Sequence, residues 1–167
     1  MSGLKDFDDL ARSFGSVAKQ TPESILPKAV RQGAKIVQGA IKSAAPKDKG
    51  TLRSGLILHK EKSRSKEKVV YDVMPDPKMN SVFQKPIQNP VRSESEKGYY
   101  PASQEYGFFT RRADGGMTYH LSNGETMDLD RVPGKYYMRS GAEVTGDAAT
   151  KEIVGKLLGD IEKELSV

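Results

Sequence analysis

The stretch from Tyr99 to Leu165 constrains this chain most, because both of its ends have to meet in one core. It begins with a short run, Tyr99-Tyr100-Pro101-Ala102-Ser103-Gln104-Glu105-Tyr106-Gly107, whose tyrosines suit a third strand. A long polar excursion follows, and the chain returns through Gly134-Lys135-Tyr136-Tyr137-Met138-Arg139 into a closing helix. In that helix Ala142, Ala149, Ile153, Leu157, Ile161 and Leu165 recur at helical steps, with Val154 and Leu158 widening the stripe and Glu152–Lys156 a favourable pair one turn apart. The stretch holds nothing that looks like catalytic machinery. It reads as a strand and a helix fixed together so that a loop projects between them.

That projecting loop carries its own signal. Met117, Tyr119 and Leu121 alternate with polar residues up to Asn123-Gly124, and the run resumes through Met127 and Leu129. Asn-Gly between alternating runs predicts a hairpin over Met117–Leu129, since both turn residues tolerate positive φ. Two strands alone are marginal in water, so some other surface is expected to hold them.

Earlier in the chain, Leu4, Phe7, Leu10, Ala11, Phe14 and Val17 form one stripe of a short amphipathic helix, within residues 1–20. Thr21 and Pro22 suit the start of the next helix, which an interior Pro27 shifts towards Leu26. From there Val30, Gly33, Val37, Ala40, Ile41 and Ala44 share one face, and Pro46 stops the run. Gly33 and Gly39 each cost about 1 kcal/mol against alanine, which implies close packing against a sheet or close approach of a neighbouring subunit. Gly50 serves a reversal by taking positive φ. Thr51–Lys60 and Lys68–Met74 are then two extended runs, and the closing helix is expected beside the Leu26 helix on one face of the sheet.

Between those runs, Lys60, Lys62, Arg64, Lys66 and Lys68 face only Glu61 and Glu67, a local excess of three positive charges. This is either the solvated tip of a hairpin or a basic finger facing a phosphate backbone. Residues 75–98 hold Pro75, Pro77, Pro86 and Pro90 and little apolar periodicity. They predict an extended arm that orders in an assembly, with Val82-Phe83 and Pro86-Ile87 as apolar islands able to dock on another chain.

Composition sets the remaining bounds. The chain of 167 residues fits one domain spanning 1–167, yet it is only 36% apolar and 29% charged, with a mean hydropathy of −0.61. A core that thin suits a domain that completes its burial against copies of itself. The absence of cysteine excludes a disulfide framework, a thiolate nucleophile and a cysteine zinc site. The N-terminus is charged from the outset, and no apolar run approaches the roughly 18 residues that span a bilayer, so a soluble protein is expected. The net charge of +5 mildly favours polyanionic neighbours. His59 and His120 lack companion ligands, the acidic clusters Asp6/Asp8/Asp9 and Asp128/Asp130 lack calcium-loop spacing, and phosphate-loop, dinucleotide and nucleophile-elbow motifs are missing. Neither an enzyme nor a cofactor is therefore expected. Glu105 beside Tyr106 reads as a structural hydrogen-bond acceptor, and Tyr99-Tyr100 and Tyr136-Tyr137 as core or interface.

Three stretches, in order, then resemble one family. Ala44-Ala45-Pro46-Lys47-Asp48-Lys49-Gly50-Thr51-Leu52-Arg53-Ser54 is similar to the helix-end signature A-P-x-D-T-G-x-L-R-x-S of tailed-bacteriophage neck and tail-completion (head–tail joining) proteins. Tyr99–Gly107 is similar to their strand ending in Glu-aromatic-Gly, and Tyr136–Ala142 to their Pro-Phe-hydrophobic-Arg-Pro-Ala lead into the final helix. Lys49 departs from the threonine and Tyr136 from the proline of those patterns, while the 75–98 arm and the 108–133 excursion look like elaborations. The resemblance spans about Leu26 to Leu165 and leaves the first helix outside. It implies an α+β subunit, a small, mostly antiparallel sheet with two long helices packed on one face, to which this chain adds the long arm and a protruding β-hairpin.

The same resemblance implies a virion protein made in the host cytoplasm. Such a subunit would sit in a sixfold or twelvefold ring around the DNA channel between head and tail, meeting portal-adaptor, neck and tail proteins. A tail terminator ring of the same fold type is the alternative, and a stand-alone basic nucleic-acid-binding module the rival from another class. Lys60, Lys62, Arg64, Lys66 and Lys68 become candidates to face DNA in transit. Arg53, Tyr100, Glu105, Tyr106, Tyr136, Tyr137 and Arg139 become candidates to hold the fold or the ring.

Overall fold

In the computed structural model, the described residues are Gly15 and residues 24–47, 49–65, 68–86, 97–111, 117–120 and 124–166. The expected first helix, the Thr21 cap, Lys66 and the Pro86-Ile87 island beyond Pro86 lie outside them. The fold is α+β, with two long helices and short antiparallel sheets.

Helix α1, Leu26–Ala44, carries Pro27 in its first turn, where the missing N–H costs nothing. It ends at Ala45, which is extended (φ −62, ψ 141) because the following Pro46 disfavours the helical region. A single helical turn, α2 (Thr51–Ser54), follows Gly50. This corrects the expected strand from Thr51: the turn carries Leu52 into the core on the same side as Leu56, and both are buried. Strand β1 (Leu56–Lys60) pairs antiparallel with β2 (Tyr71–Pro75), Leu56 opposite Pro75 and Lys60 opposite Tyr71, and both strands pack against α1.

Residues 75–86, the first part of the expected arm, carry regular structure, while its residues 87–96 lie outside the described ones. Asp76 caps a 3-10 turn at Pro77–Met79 by accepting the Lys78 N–H at 2.9 Å, and α3 (Asn80–Phe83) follows directly. Strand β3 (Gln84–Pro86) then pairs with β4 (Lys97–Tyr99). Phe83, expected on a docking island, is instead 1% exposed and meets Tyr99 edge-on with centroids 6.0 Å apart. A single buried aromatic supplies the burial that periodicity did not show.

A further correction concerns Tyr100–Tyr106, which is a helix, α4, and not a strand. Pro101 sits in its first turn and is buried one turn before buried Glu105, while Gly107 ends it at φ 86. Strands β5 (Gly107–Arg111), β6 (Met117–His120) and β7 (Thr126–Pro133) form a sheet in the order β5-β7-β6. The hairpin spans the expected Met117–Leu129, with Met117 opposite Leu129, His120 opposite Thr126 and Gly124 at φ 87. β5 is the surface that supports it, pairing with β7 from Gly107 opposite Pro133 to Arg111 opposite Leu129. Among the described residues, the expected single sheet is thus three antiparallel pieces.

The closing helix α5, Tyr137–Leu165, runs antiparallel along α1. Gly141 lies against Ile41, and Gly33 against Ala149 and Ile153. A methyl group on Gly33 would stand 2.5 Å from Ile153 Cγ1, so this glycine serves helix–helix approach, not the sheet or neighbouring subunit anticipated. Nothing lies within 4 Å of the same point at Gly39. Lys156 pairs forward with Asp160 at 2.6 Å and not back with Glu152, and that hydrogen bond holds the Asp160 carboxyl below its ordinary range. The core gathers at one end of this helix pair, from Ile41, Ala45, Leu52, Leu56, Phe83 and Tyr137. Among the described residues, no helix is long and apolar enough to cross a membrane.

Candidate assembly surface

Glu105 organises the junction between the helical layer and the three-stranded sheet. Helix α5 begins without a capping side chain of its own, because its first flanking residue is Tyr136 at φ 48, ψ 37. Left-handed backbone at a bulky residue costs on the order of 1–3 kcal/mol and persists only where surroundings enforce it. Here they do. The Tyr136 N–H donates to the Glu105 carbonyl at 3.1 Å, and the Lys135 N–H to the Gln104 carbonyl at 2.8 Å. The Glu105 carboxylate, 5% exposed, accepts the Met138 N–H at 2.8 Å and the Arg139 N–H at 3.2 Å. One side chain of α4 thereby satisfies two open donors of α5 and places a negative charge at its positive end. Tyr137 lies beside it, 1% exposed, its hydroxyl buried without a hydrogen-bond partner. Burial, and then the Glu105 charge, pushes the Tyr137 hydroxyl well above the usual tyrosine range.

The structure therefore brings Glu105, Tyr136, Tyr137 and Arg139 to one junction, flanked by Tyr106. Tyr106 is 67% exposed, and the exposed Arg139 side chain makes a long 3.9 Å contact with Glu143. Tyr100 packs half-buried against the core. Arg53 stands elsewhere, donating from Nη2 to the Ser43 carbonyl at 3.2 Å near the end of α1, with its Nε buried and unpartnered. Lys60, Lys62, Arg64 and Lys68 are exposed on the β1–β2 connection, a third location.

Beyond the junction, the β5-β7-β6 sheet stands apart. Among the described residues, its substantial contact outside its own strands is with α4, the helix that leads directly into β5. Phe108 and Phe109 point to opposite faces, as successive strand residues must, and both are exposed, Phe109 by 54%. Val132, opposite Phe108, and Tyr136 extend the exposed apolar area. The outer edge of β5 faces no strand among the described residues. Sequence reasoning passed over Phe108-Phe109, although two consecutive aromatic residues in a strand cannot share a face. This sheet offers apolar side chains on both faces and an open backbone edge, which is the equipment for protein contact.

Comparison with known proteins gives one result of weight. Residues 8–78 match the family model described as "Bacteriophage HK97-gp10, putative tail-component". The match takes in α1, α2, β1 and β2 with the Ala44–Ser54 signature, and begins inside the first apolar segment, which the resemblance had left out. No curated protein and no solved structure matches the chain. Over residues 8–78, less than half its length, the chain is similar to a phage tail-component family, and the match supports a tailed-phage neck or tail family for it.

Proposed function

We propose that this chain is a ring-forming subunit of the neck or tail-completion assembly that joins head to tail in a tailed phage. The similarity to a tail-component family supports a structural virion protein that meets other phage structural proteins. The single observation that carries the finer reading is the β5-β7-β6 sheet, held out from the helical layer with both faces partly apolar and one edge open. A head-to-tail ring needs two different surfaces on each subunit. An exposed edge strand with Phe108 and Phe109 supplies one, able to add to a neighbour's sheet or lie on its helices. The rigid junction at Glu105 fixes the angle at which that sheet leaves the body, and a closed ring needs a fixed angle. The exposed basic residues from Lys60 to Lys68 then serve as a dilute, salt-sensitive lining for passing DNA. A tail-terminator ring uses the same surfaces and differs in its neighbours.

The test is assembly. Wild-type protein is expected to form rings visible by light scattering and negative-stain microscopy, alone or on purified particles lacking it. Phe108→Asp with Phe109→Asp is expected to stay monomeric with an unchanged melting curve. Normal particles built from the double variant would overturn the proposal, as would nanomolar, salt-dependent DNA binding by a wild-type monomer that never assembles.

A further inference from the structure

Helix α1 carries Lys28, Arg31, Lys35 and Lys42 and holds neither aspartate nor glutamate. At 100° per residue these four cations fall within about 60° of one another, in a stripe about 21 Å long. The stripe lies opposite Gly33, which meets Ala149 and Ile153 of α5, so it looks outwards from the helix pair. Lys28, Arg31 and Lys35 are exposed and Lys42 is half-buried. Among the described residues, none of the four is held in an ion pair. The charge of Lys28 reaches Asp160, but Lys156 already holds that carboxylate at 2.6 Å. Set against a net charge of +5 for the whole chain, this one face carries most of the excess.

What such a face can meet follows from what it lacks. No large apolar side chain of α1 is exposed, whereas α5 and the β5-β7-β6 sheet offer several. A protein partner would be held here by charge alone, without the desolvated apolar centre on which such interfaces depend. A polyanion needs no such centre, because each phosphate that is neutralised releases counterions. Gly39 is a second indication. It sits between Lys35 and Lys42 at the edge of the stripe, exposed, with nothing within 4 Å of the point where its Cβ would stand. Glycine weakens a helix interior relative to alanine, and no packing within the fold calls for this one. It leaves a gap among the side chains through which a phosphate strand can approach the backbone. The β1–β2 tip differs, because Glu61 interrupts its cations, and Lys62, Arg64 and Lys68 lie in no helix or strand that would hold their spacing.

We infer that the outer face of α1 is a non-specific site for the backbone of duplex DNA, with Lys28, Arg31, Lys35 and Lys42 on phosphates and Gly39 at the closest approach. The inference rests on the proposed function only for the source of the DNA, since a single subunit carries the whole stripe. Four contacts make a weak site, with a Kd of about 1–100 μM near physiological salt, loose enough for DNA to slide.

Fluorescence anisotropy of a labelled duplex of about 20 base pairs, titrated with the full chain at about 50 to 200 mM NaCl, tests this. For the wild type, log K is expected to fall with log salt at a slope of about −3 to −4, as about 0.9 per neutralised phosphate requires. Lys28→Gln, Arg31→Gln, Lys35→Gln and Lys42→Gln together should reduce affinity at least tenfold at about 50 mM and flatten the slope by about 3, with unchanged helical circular dichroism. Lys28→Gln with Lys35→Gln, which leaves the half-buried Lys42 in place, should flatten it by about 2. Lys60→Gln, Lys62→Gln and Arg64→Gln together should flatten it by less than the fourfold α1 variant does. Three results overturn the inference: no binding by the wild type at about 50 mM salt, a wild-type slope in both α1 variants, or tighter binding of poly-L-glutamate than of the duplex, which would assign the stripe to an acidic protein surface. Light scattering on the same samples reads ring formation separately, so failure of the ring and failure of this site are told apart.

Discussion

At the scale of single residues, the junction turns on a carboxylate that caps a helix it does not belong to. Glu105 is separated from Met138 and Arg139 by the whole β5-β7-β6 excursion, yet holds both of their N–H groups. Glu105→Ala leaves two donors open at a buried helix start and is expected to cost about 2–3 kcal/mol in urea unfolding. Glu105→Gln keeps one acceptor and loses the charge, costing about 1–2 kcal/mol. A loss below about 0.5 kcal/mol for the alanine variant would show that the cap contributes nothing. Tyr137 makes a separate prediction. In the unfolded chain its hydroxyl ionises near pH 10, whereas in the fold the proton is held to higher pH. The folded state thus keeps a proton that the unfolded state releases. Stability is complete below about pH 10 and falls as pH rises beyond it. Tyr137→Phe removes an unpartnered buried hydroxyl and should match or exceed the wild type by up to about 1 kcal/mol near neutrality. It should also lose less stability between about pH 10 and pH 12, read from denaturant midpoints across that range.

At the scale of elements, α1 and α5 meet through small residues. Gly33 and Gly141 let the backbones approach, and Ile153 fills the space over Gly33. Gly33→Val forces branched carbons into Ile153 and the Ala149 carbonyl, costing about 1–3 kcal/mol by overpacking. Adding Ile153→Ala is expected to recover part of that loss. Gly39→Ala is expected to go the other way, stabilising by up to about 1 kcal/mol, because its Cβ meets open space in mid-helix. Thermal melts of the two single variants should shift in opposite directions. A shift of the same sign would mean that the two helices do not pack at Gly33.

At the scale of the whole molecule, buried and offered surfaces are segregated. The core sits where α1 ends and α5 begins, while Phe108, Phe109 and Val132 lie exposed on the β5-β7-β6 sheet and Val144, Val154, Leu158 and Leu165 on the outer side of α5. The basic tip is separate from both. Lys60→Glu, Lys62→Glu and Arg64→Glu together are expected to change stability by no more than about 0.5 kcal/mol, since all three side chains are exposed. Particles should still assemble by microscopy but deliver DNA more slowly. Failure to assemble would reassign the tip to a subunit contact.

Short-range chemistry settles those features that periodicity and special residues encode locally. The apolar face of α1, its stop before Pro46, the turn at Gly50 and the Asn-Gly hairpin all follow from short-range chemistry, with Gly50 at φ 73 and Gly124 at φ 87. Even α4 was locally legible, because Pro101 followed by Ala102, Gln104 and Glu105 is helix chemistry that the neighbouring tyrosines obscured. Tertiary structure alone decided the rest. Phe83 belongs to the core only because Leu52, Leu56 and Tyr99, distant in the chain, come together around it. Gly33 has its purpose only because α5 comes back along α1. Tyr136 keeps its left-handed backbone only because Glu105 arrives from another helix to hold the turn after it. Periodicity reports which side of an element is apolar; what that side meets depends on contacts between residues far apart in the chain, and those form only on folding.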